Sequence, residues 1–363
     1  MMKVKKLVVL TAGGTGGHVY PADALANELL QKGYDVMLFT DGRGLHNYKG
    51  KLAEIENKAI LSGSVVGKSV LTKVFSLIKV AFGVLQAGYY LGQRRPRCVV
   101  GFGGYASFPT AVAAILLRIP LVIHEQNSVM SRTNRLLARF ATCVAQSFRQ
   151  VKYTPKGVRE VLTGMPVRQT ISVLHQKGYS VPQAPEKINL VVLGGSQGAK
   201  VFAEVVPQAV KLLAASLQER LTVYQQCRKG EEDVVIKQYQ GTKVQPIVRS
   251  FFDNMPELYA KTHLMISRAG ASSVYEIAAA GVPSILVPLP TAADNHQYFN
   301  AKAFADVGAA FLLEQSSFKP EELAAVLREC FENPMQLKQI SDGAKKHAII
   351  DAAGRLADVV MKF

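Results

Sequence analysis

The sequence predicts an α/β protein built from two parallel-sheet domains, and three observations carry that prediction. Apolar strand patterns alternate with helical ones from end to end, the signature of a parallel sheet flanked by helices. Two segments open alike, LVVLTAGGTGGH at Leu7 to His18 and NLVVLGGSQGAK at Asn189 to Lys200, each an apolar strand, a glycine-rich turn and a helix start. The length, 363 residues against about 150 per domain, leaves room for two cores. Two tandem Rossmann-like domains, 1–163 and 164–340, joined near Gly164 to Arg168, are the economical reading.

In the first half the expected strands are Lys6 to Leu10, Asp35 to Phe39, Cys98 to Gly101 and Leu121 to His124. In the second they are Asn189 to Leu193, Leu221 to Gln225, His263 to Ser267 and Ser284 to Val287. The basic start, MMKVKKLVVLTAGG, has a short apolar run that enters a glycine loop and no cleavage site, so it reads as a strand and not as a leader. Val70 to Leu91 is long enough to span a bilayer. Lys73 and Lys79 interrupt it, and lysine near mid-bilayer is costly. An amphipathic helix is expected instead, with Phe75, Ile78, Phe82 and Leu85 sharing one face.

The chain carries 43 Lys and Arg against 27 Asp and Glu, a formal net charge of +16. Up to residue 180 there are 24 basic and 8 acidic residues; beyond it there are 19 of each. No acid occurs between Glu56 and Glu125, so the excess positive charge belongs to the first domain and implies an anionic surface, nucleic acid or phospholipid. No zinc module, RNP aromatic motif or aromatic-interleaved basic run supports nucleic acid. Cys98, Cys143, Cys227 and Cys330 are scattered singly, which excludes a CxxC zinc site or disulfide framework and fits a reducing cytoplasm. At 48% hydrophobic and 19% charged residues, disorder and a polytopic membrane protein are excluded.

Four turns carry the chemistry. Gly13-Gly14-Thr15-Gly16-Gly17-His18 follows the first strand, where glycines admit a ligand to the backbone and the helix start attracts an anion. It lacks the GK[ST] ending of a nucleoside-triphosphatase loop and the third glycine of a dinucleotide fingerprint, yet Asp41 stands where a dehydrogenase holds ribose, which keeps an oxidoreductase as a rival. Gly101 to Tyr105 makes a second glycine turn in the same domain, and Gly194 to Gly198 a third in the other. Ser267 to Glu276 runs from a strand through a small-residue turn into a helix whose N–H groups suit a diphosphate, with Glu276 placed to accept from ribose hydroxyls. After the next strand, Asp294, Asn295, His296 and Gln297 form a polar cluster of the kind that holds sugar hydroxyls, and no D-x-D occurs to clamp a metal-bound diphosphate.

In this order the motifs GGTGGH at Gly13, GFGGY at Gly101, HEQN at His124, GGSQG at Gly194, SRAGASSVYE at Ser267 and DNHQ at Asp294 closely resemble the MurG family of bacterial glycosyltransferases, over essentially the whole chain. The resemblance implies a GT-B fold, two Rossmann-like domains facing across a cleft, with a last helix of about 341–363 packing back on the first. It implies inverting, metal-independent transfer of N-acetylglucosamine from UDP-GlcNAc to the MurNAc 4-hydroxyl of undecaprenyl-diphospho-MurNAc-pentapeptide (lipid I), giving lipid II for peptidoglycan. The expected partners are those two substrates and an anionic membrane, not nucleic acid; no cofactor is expected, and the place is the cytoplasmic face of the inner membrane, peripherally. Position by position, the resemblance implies donor contacts from Thr15, Gly16, Gly17 and Asn127, with Arg168 and Ser196 on the diphosphate and uridine side and Phe252 packing on uracil. Ala271, Ser272, Ser273, Val274, Tyr275 and Glu276 would hold diphosphate and ribose, and Asp294, His296 and Gln297 would read the sugar. His18, Tyr105 and Glu125 would lie on the acceptor side. Met165 departs from the family's usual asparagine, and Ser128 and Ser131 replace a small apolar residue and a glycine; neither serine is expected to touch an assigned residue.

Single-displacement inversion needs a base on the acceptor hydroxyl. His18, with an unperturbed pKa of about 6.5, and Glu125, at the end of a buried strand, are the two candidates. Without a metal, the start of the Ala271 helix, Arg168 and Ser196 are expected to stabilise the leaving diphosphate.

Overall fold

The computed structural model describes residues 6–13, 16–42, 50–63, 70–195 and 198–363. The chain divides into two compact units, Met1–Arg168 with Ile349–Phe363, and Gln169–Ala348. The first holds β1 (Leu7–Thr11), β2 (Asp35–Thr40), β3 (Glu56–Ala59), β4 (Cys98–Gly101), β5 (Leu121–Glu125), β6 (Cys143–Gln146) and β7 (Glu160–Leu162). They form one parallel sheet in the order β3-β2-β1-β4-β5-β6-β7. Side chains alternate between its faces, so each central strand feeds two cores. Val8, Leu10, Leu38 and Val100 pack on one side with Leu25 and Leu29, from the helix Gly16–Gln31. Leu7, Val9, Phe39 and Val99 pack on the other with Ala87 and Leu91, from the helix Val70–Arg94. Burial on both faces is why these strands read as unbroken apolar runs.

The second unit repeats the plan with β8 (Ile188–Leu193), β9 (Leu221–Gln226), β10 (Gln245–Arg249), β11 (Leu264–Ser267), β12 (Ser284–Leu286) and β13 (Phe311–Leu312), in the order β10-β9-β8-β11-β12-β13. In both sheets the strand order reverses beside the first strand, between β1 and β4 and between β8 and β11. Ligands of open α/β sheets bind at such a reversal, beyond the carboxyl ends of the strands. Every strand expected from the sequence is present to within one residue at either end. Five are additional. Of these, β3, β7, β10 and β13 are sheet edges, where one-sided burial weakens the apolar signal, and β6 is only Cys-Val-Ala-Gln.

The expected single helix over 341–363 is two helices. Pro334–His347 stops at Ala348, whose backbone is extended (φ −70°, ψ 134°), and Ala352–Val360 follows Asp351. The break divides the segment between the units. Leu337 enters the second unit's core and Ser341 Oγ donates to the Gly281 carbonyl at 2.6 Å. Leu356, Ala357, Val359 and Val360 enter the first unit's core, where Arg97 Nε donates to the Phe363 carbonyl at 2.7 Å.

Candidate functional site

In the first unit the glycine turns after β1 and β4 lie against each other at the strand reversal. A Cβ on Gly13 would sit 2.4 Å from Ala106 Cβ, and one on Gly104, whose φ is 80°, would sit 2.9 Å from the Gly13 carbonyl oxygen. No larger residue fits either place, so the two turns meet backbone to backbone there. Gly16, Gly17 and His18 open the helix Gly16–Gln31 beside these turns; Thr15 lies outside the described residues. The His18 imidazole packs on Gly103 and Gly104, near the Phe102 carbonyl and the Gln126 amide, with Nδ1 buried and without a hydrogen-bond partner. Desolvation pulls its pKa below the ordinary histidine value, so at neutral pH the ring is neutral and can take a proton. Tyr105, 46% exposed, stands at the rim of the same turn.

Glu125 has the desolvated setting expected for it, and its oxygens are also held by loop donors. The carboxylate is 1% exposed and accepts from Asn127 N–H at 3.0 Å, Ser131 N–H at 3.0 Å and Asn134 Nδ2 at 2.7 Å. Burial pushes its pKa up. The contact with Ser131 corrects the expectation that this serine touches no assigned residue. Its hydroxyl also caps the helix Arg132–Leu137 by accepting from Asn134 N–H at 3.2 Å. Two neighbours missed in the sequence belong here. Gln126 Nε2 donates to the Phe102 carbonyl at 2.7 Å, and the ring of His124 is fully buried, with Nε2 3.3 Å from the Gly164 carbonyl and from Ser147 Oγ. Arg168, the last residue of this unit, lays its guanidinium 4.9 Å over the Tyr20 ring.

In the second unit the equivalent reversal carries Gly194, whose Cβ would meet Ala199 N at 2.2 Å, and Gly195 and Gly198 with φ of 84° and 66°. Ser196 lies outside the described residues. Beyond β11, Gly270, which has no side chain to cap it, leads into the helix Ala271–Ala280, and the N–H groups at such a helix start attract an anion. Val274 and Tyr275 were expected to line that helix start, but both point into the core. Val274 is 2% exposed with its N–H given to Gly270, and Tyr275 stacks edge-on against Phe304 at 5.4 Å. Residues four and five of a helix have already turned away from its mouth. Glu276 is mostly buried and accepts from Tyr259 Oη at 3.4 Å, a partner the sequence did not disclose.

The polar cluster after β12 is shaped by two consecutive left-handed residues, Asp294 (φ 50°) and Asn295 (φ 54°), before the helix His296–Ala305. Strain of this kind in non-glycine residues marks functional turns. His296 Nδ1 donates to the Ala293 carbonyl at 2.8 Å, which leaves Nε2 outward. Gln297 Oε1 accepts from Ala269 N–H at 3.2 Å and Leu289 N–H at 3.0 Å, tying the turn after β11 to the loop after β12. Its NH2 remains to donate. Phe252 is nearly buried, its ring 6.4 Å from that of Tyr224 in a cavity of about 340 Å³ beside β9, β10 and the helix Met255–Lys261, whereas Phe251 is 63% exposed. A second cavity, of about 300 Å³, lies at the amino ends of β8 and β11 among Tyr179, Asn189 and His263, away from these turns. Among the described residues no group of three or more His, Cys, Asp or Glu is placed to hold a metal ion.

The two parallel sheets, each with its glycine turns at the strand reversal, make a GT-B fold. Residues 8–146 match the N-terminal domain and residues 189–356 the C-terminal domain of glycosyltransferase family 28, and the chain belongs to that family. A Rhodospirillum rubrum relative named "UDP-N-acetylglucosamine--N-acetylmuramyl-(pentapeptide) pyrophosphoryl-undecaprenol N-acetylglucosamine transferase" is 45% identical over 97% of this chain and 91% of its own length. A Paramagnetospirillum magneticum protein of the same name is 44% identical over 99% and 98%. The crystal structure of Acinetobacter baumannii MurG aligns with a TM-score of 0.79 at 33% identity, over 98% of this chain and 99% of that one. The resemblance read from the six motifs is therefore established, and the oxidoreductase reading falls.

Proposed function

We propose that this glycosyltransferase moves N-acetylglucosamine from UDP-GlcNAc to the MurNAc 4-hydroxyl of lipid I, with inversion, forming lipid II. The observation that carries the reading is the 44–45% identity to relatives of that named activity through both units, at full length. The parts fit the chemistry. The uncapped start of the helix Ala271–Ala280 receives the donor diphosphate, Glu276 takes the ribose hydroxyls, and the Gln297 NH2 with His296 and Asp294 reads the sugar. Thr15, Gly16, Gly17, Tyr105, Asn127, Arg168, Ser196 and Phe252 complete the substrate contacts. His18 is the base, since its ring is neutral and lies at the glycine edge, while both oxygens of Glu125 are occupied by loop donors. The leaving UDP is stabilised by helix N–H groups and Arg168 without a metal ion.

The acceptor's lipid places the enzyme peripherally on the cytoplasmic face of the inner membrane. No helix among the described residues is long and apolar enough to cross a membrane. The helix Val70–Arg94 instead turns its large apolar residues outward, Phe75 65%, Ile78 47%, Phe82 57% and Leu85 70% exposed, and keeps Ser76, Ala87 and Leu91 inward. Leu116 and Leu117, at the end of the helix Ser107–Leu116, are exposed as well, and Lys79 is exposed beside Ile78, a combination suited to an anionic leaflet. Incubating the purified chain with UDP-GlcNAc and lipid I, then quantifying lipid II, tests the activity. Absence of product with a competent acceptor removes the reading.

A further inference from the structure

Glu125, Ser131 and Asn134 form a closed hydrogen-bonded unit that no catalytic duty explains. Four donors from one short segment converge on a single buried carboxylate: the N–H and the side-chain amide of Asn127 at its start, the N–H of Ser131 in the middle and the amide of Asn134 at its end. Asn134 is itself buried and is held by the Ser131 hydroxyl through its own N–H. A carboxylate removed from water is stable as an anion only while such donors surround it. The Asn134 contact, 2.7 Å, comes from a side chain and can be removed by substitution without altering the backbone donors.

We propose that Asn134 is a positioning residue, which acts through Glu125 to fix Asn127 in the orientation that meets the donor sugar. The proposal rests on the reading of Asn127 as a donor contact. Without the Asn134 amide, the Glu125 carboxylate either takes up a proton or draws other donors toward it. Both changes weaken its hold on the Asn127 N–H and on the Asn127 side-chain amide, and so loosen the residue whose remaining amide oxygen would meet the sugar. Catalysis by His18 is untouched, because no proton moves through Glu125.

The test is steady-state kinetics with UDP-GlcNAc and a lipid I analogue for Asn134→Ala, Glu125→Gln, the double variant and Asn127→Ala. In each single variant KM for UDP-GlcNAc is expected to rise about tenfold, the usual weight of one charge-assisted hydrogen bond. The double variant is expected to be no worse than the more affected single, since both changes break one clamp. The acid limb of kcat is expected to keep its midpoint in Asn134→Ala. An unchanged KM in Asn134→Ala beside a raised KM in Asn127→Ala overturns the proposal and leaves the Asn127 reading standing. An unchanged KM in Asn127→Ala removes that reading and the proposal with it. Loss of kcat at unchanged KM in Glu125→Gln also overturns it, returning the base to Glu125. Should Asn134→Ala not fold, as judged by its circular dichroism melt, Asn134→Ser and the isosteric Glu125→Gln carry the same comparison.

Discussion

His18 and His124 are both desolvated, and the consequence differs with where each ring sits. His124 is fully buried, its pKa pushed down to about 4 by loss of water, partly opposed by the Gly164 carbonyl. In the unfolded chain it returns to about 6.5. Between those values the unfolded state binds the extra proton, so stability is whole above about pH 6.5 and declines as pH falls towards 4, by on the order of 3 kcal/mol from this group. Urea midpoints at pH 7.5, 5.5 and 4.5 should show that decline, with a shallower slope in His124→Asn; equal slopes would remove the account. The base proposed at His18 acts only while neutral, and its pKa too is lowered, so turnover should hold from pH 8 to 6.5 and fall only below that. His18→Ala should cut kcat by about a hundredfold or more, within the range of general-base contributions, with donor affinity kept. Gln297 offers a sharper distinction. Its carbonyl is already committed to Ala269 and Leu289, so Gln297→Glu keeps the clamp and replaces the only outward donor by an acceptor. UDP-GlcNAc binding should weaken about tenfold while UDP binding is kept. Equal loss for both ligands would place Gln297 in the loop's support rather than at the sugar.

At the scale of elements, the sequence was most legible where backbone geometry forces a residue type. The glycine turns could be read because Gly13, Gly104 and Gly194 have no room for a Cβ, and the central strands because both their faces are buried. Edge strands were not legible, and neither was the burial of Val274 and Tyr275, since a motif fixes residue order while helical rotation decides which side chains reach its mouth. The helix break at Ala348 was hidden too: it lies in the backbone between two amphipathic runs and no proline or glycine marks it. The periodicity of Val70–Arg94 was plain, but its orientation came from the structure. An ordinary surface helix hides most of its large apolar residues, and this one leaves Phe75, Ile78, Phe82 and Leu85 outside while Ser76, Ala87 and Leu91 face inward. Replacing Phe82 and Leu85 by serine therefore removes little buried area. Such a variant should keep its melting midpoint within about 2 °C while losing most of its binding to anionic vesicles in a flotation assay. A large fall in the midpoint would mean that the face is covered within the protein.

Across the whole molecule, the division of charge matches the proposed division of labour. The half that carries the excess of basic residues also carries the outward apolar helix, while the balanced half carries the uncapped helix start and the polar turn suited to a nucleotide sugar. A balanced domain that binds a diphosphate must obtain its positive potential locally, from aligned N–H groups rather than from net charge or a cation. Donor binding should then be independent of divalent ions. Ligand at a hundred times its Kd stabilises a folded chain by about 2.7 kcal/mol, enough to read as a shift of several degrees. UDP-GlcNAc should produce that shift equally with magnesium and with excess chelator, NADH should produce none, and single-turnover transfer should likewise survive the chelator. Loss of either the shift or the transfer on chelation, restored by magnesium, would show that an ion and not the helix start neutralises the leaving group.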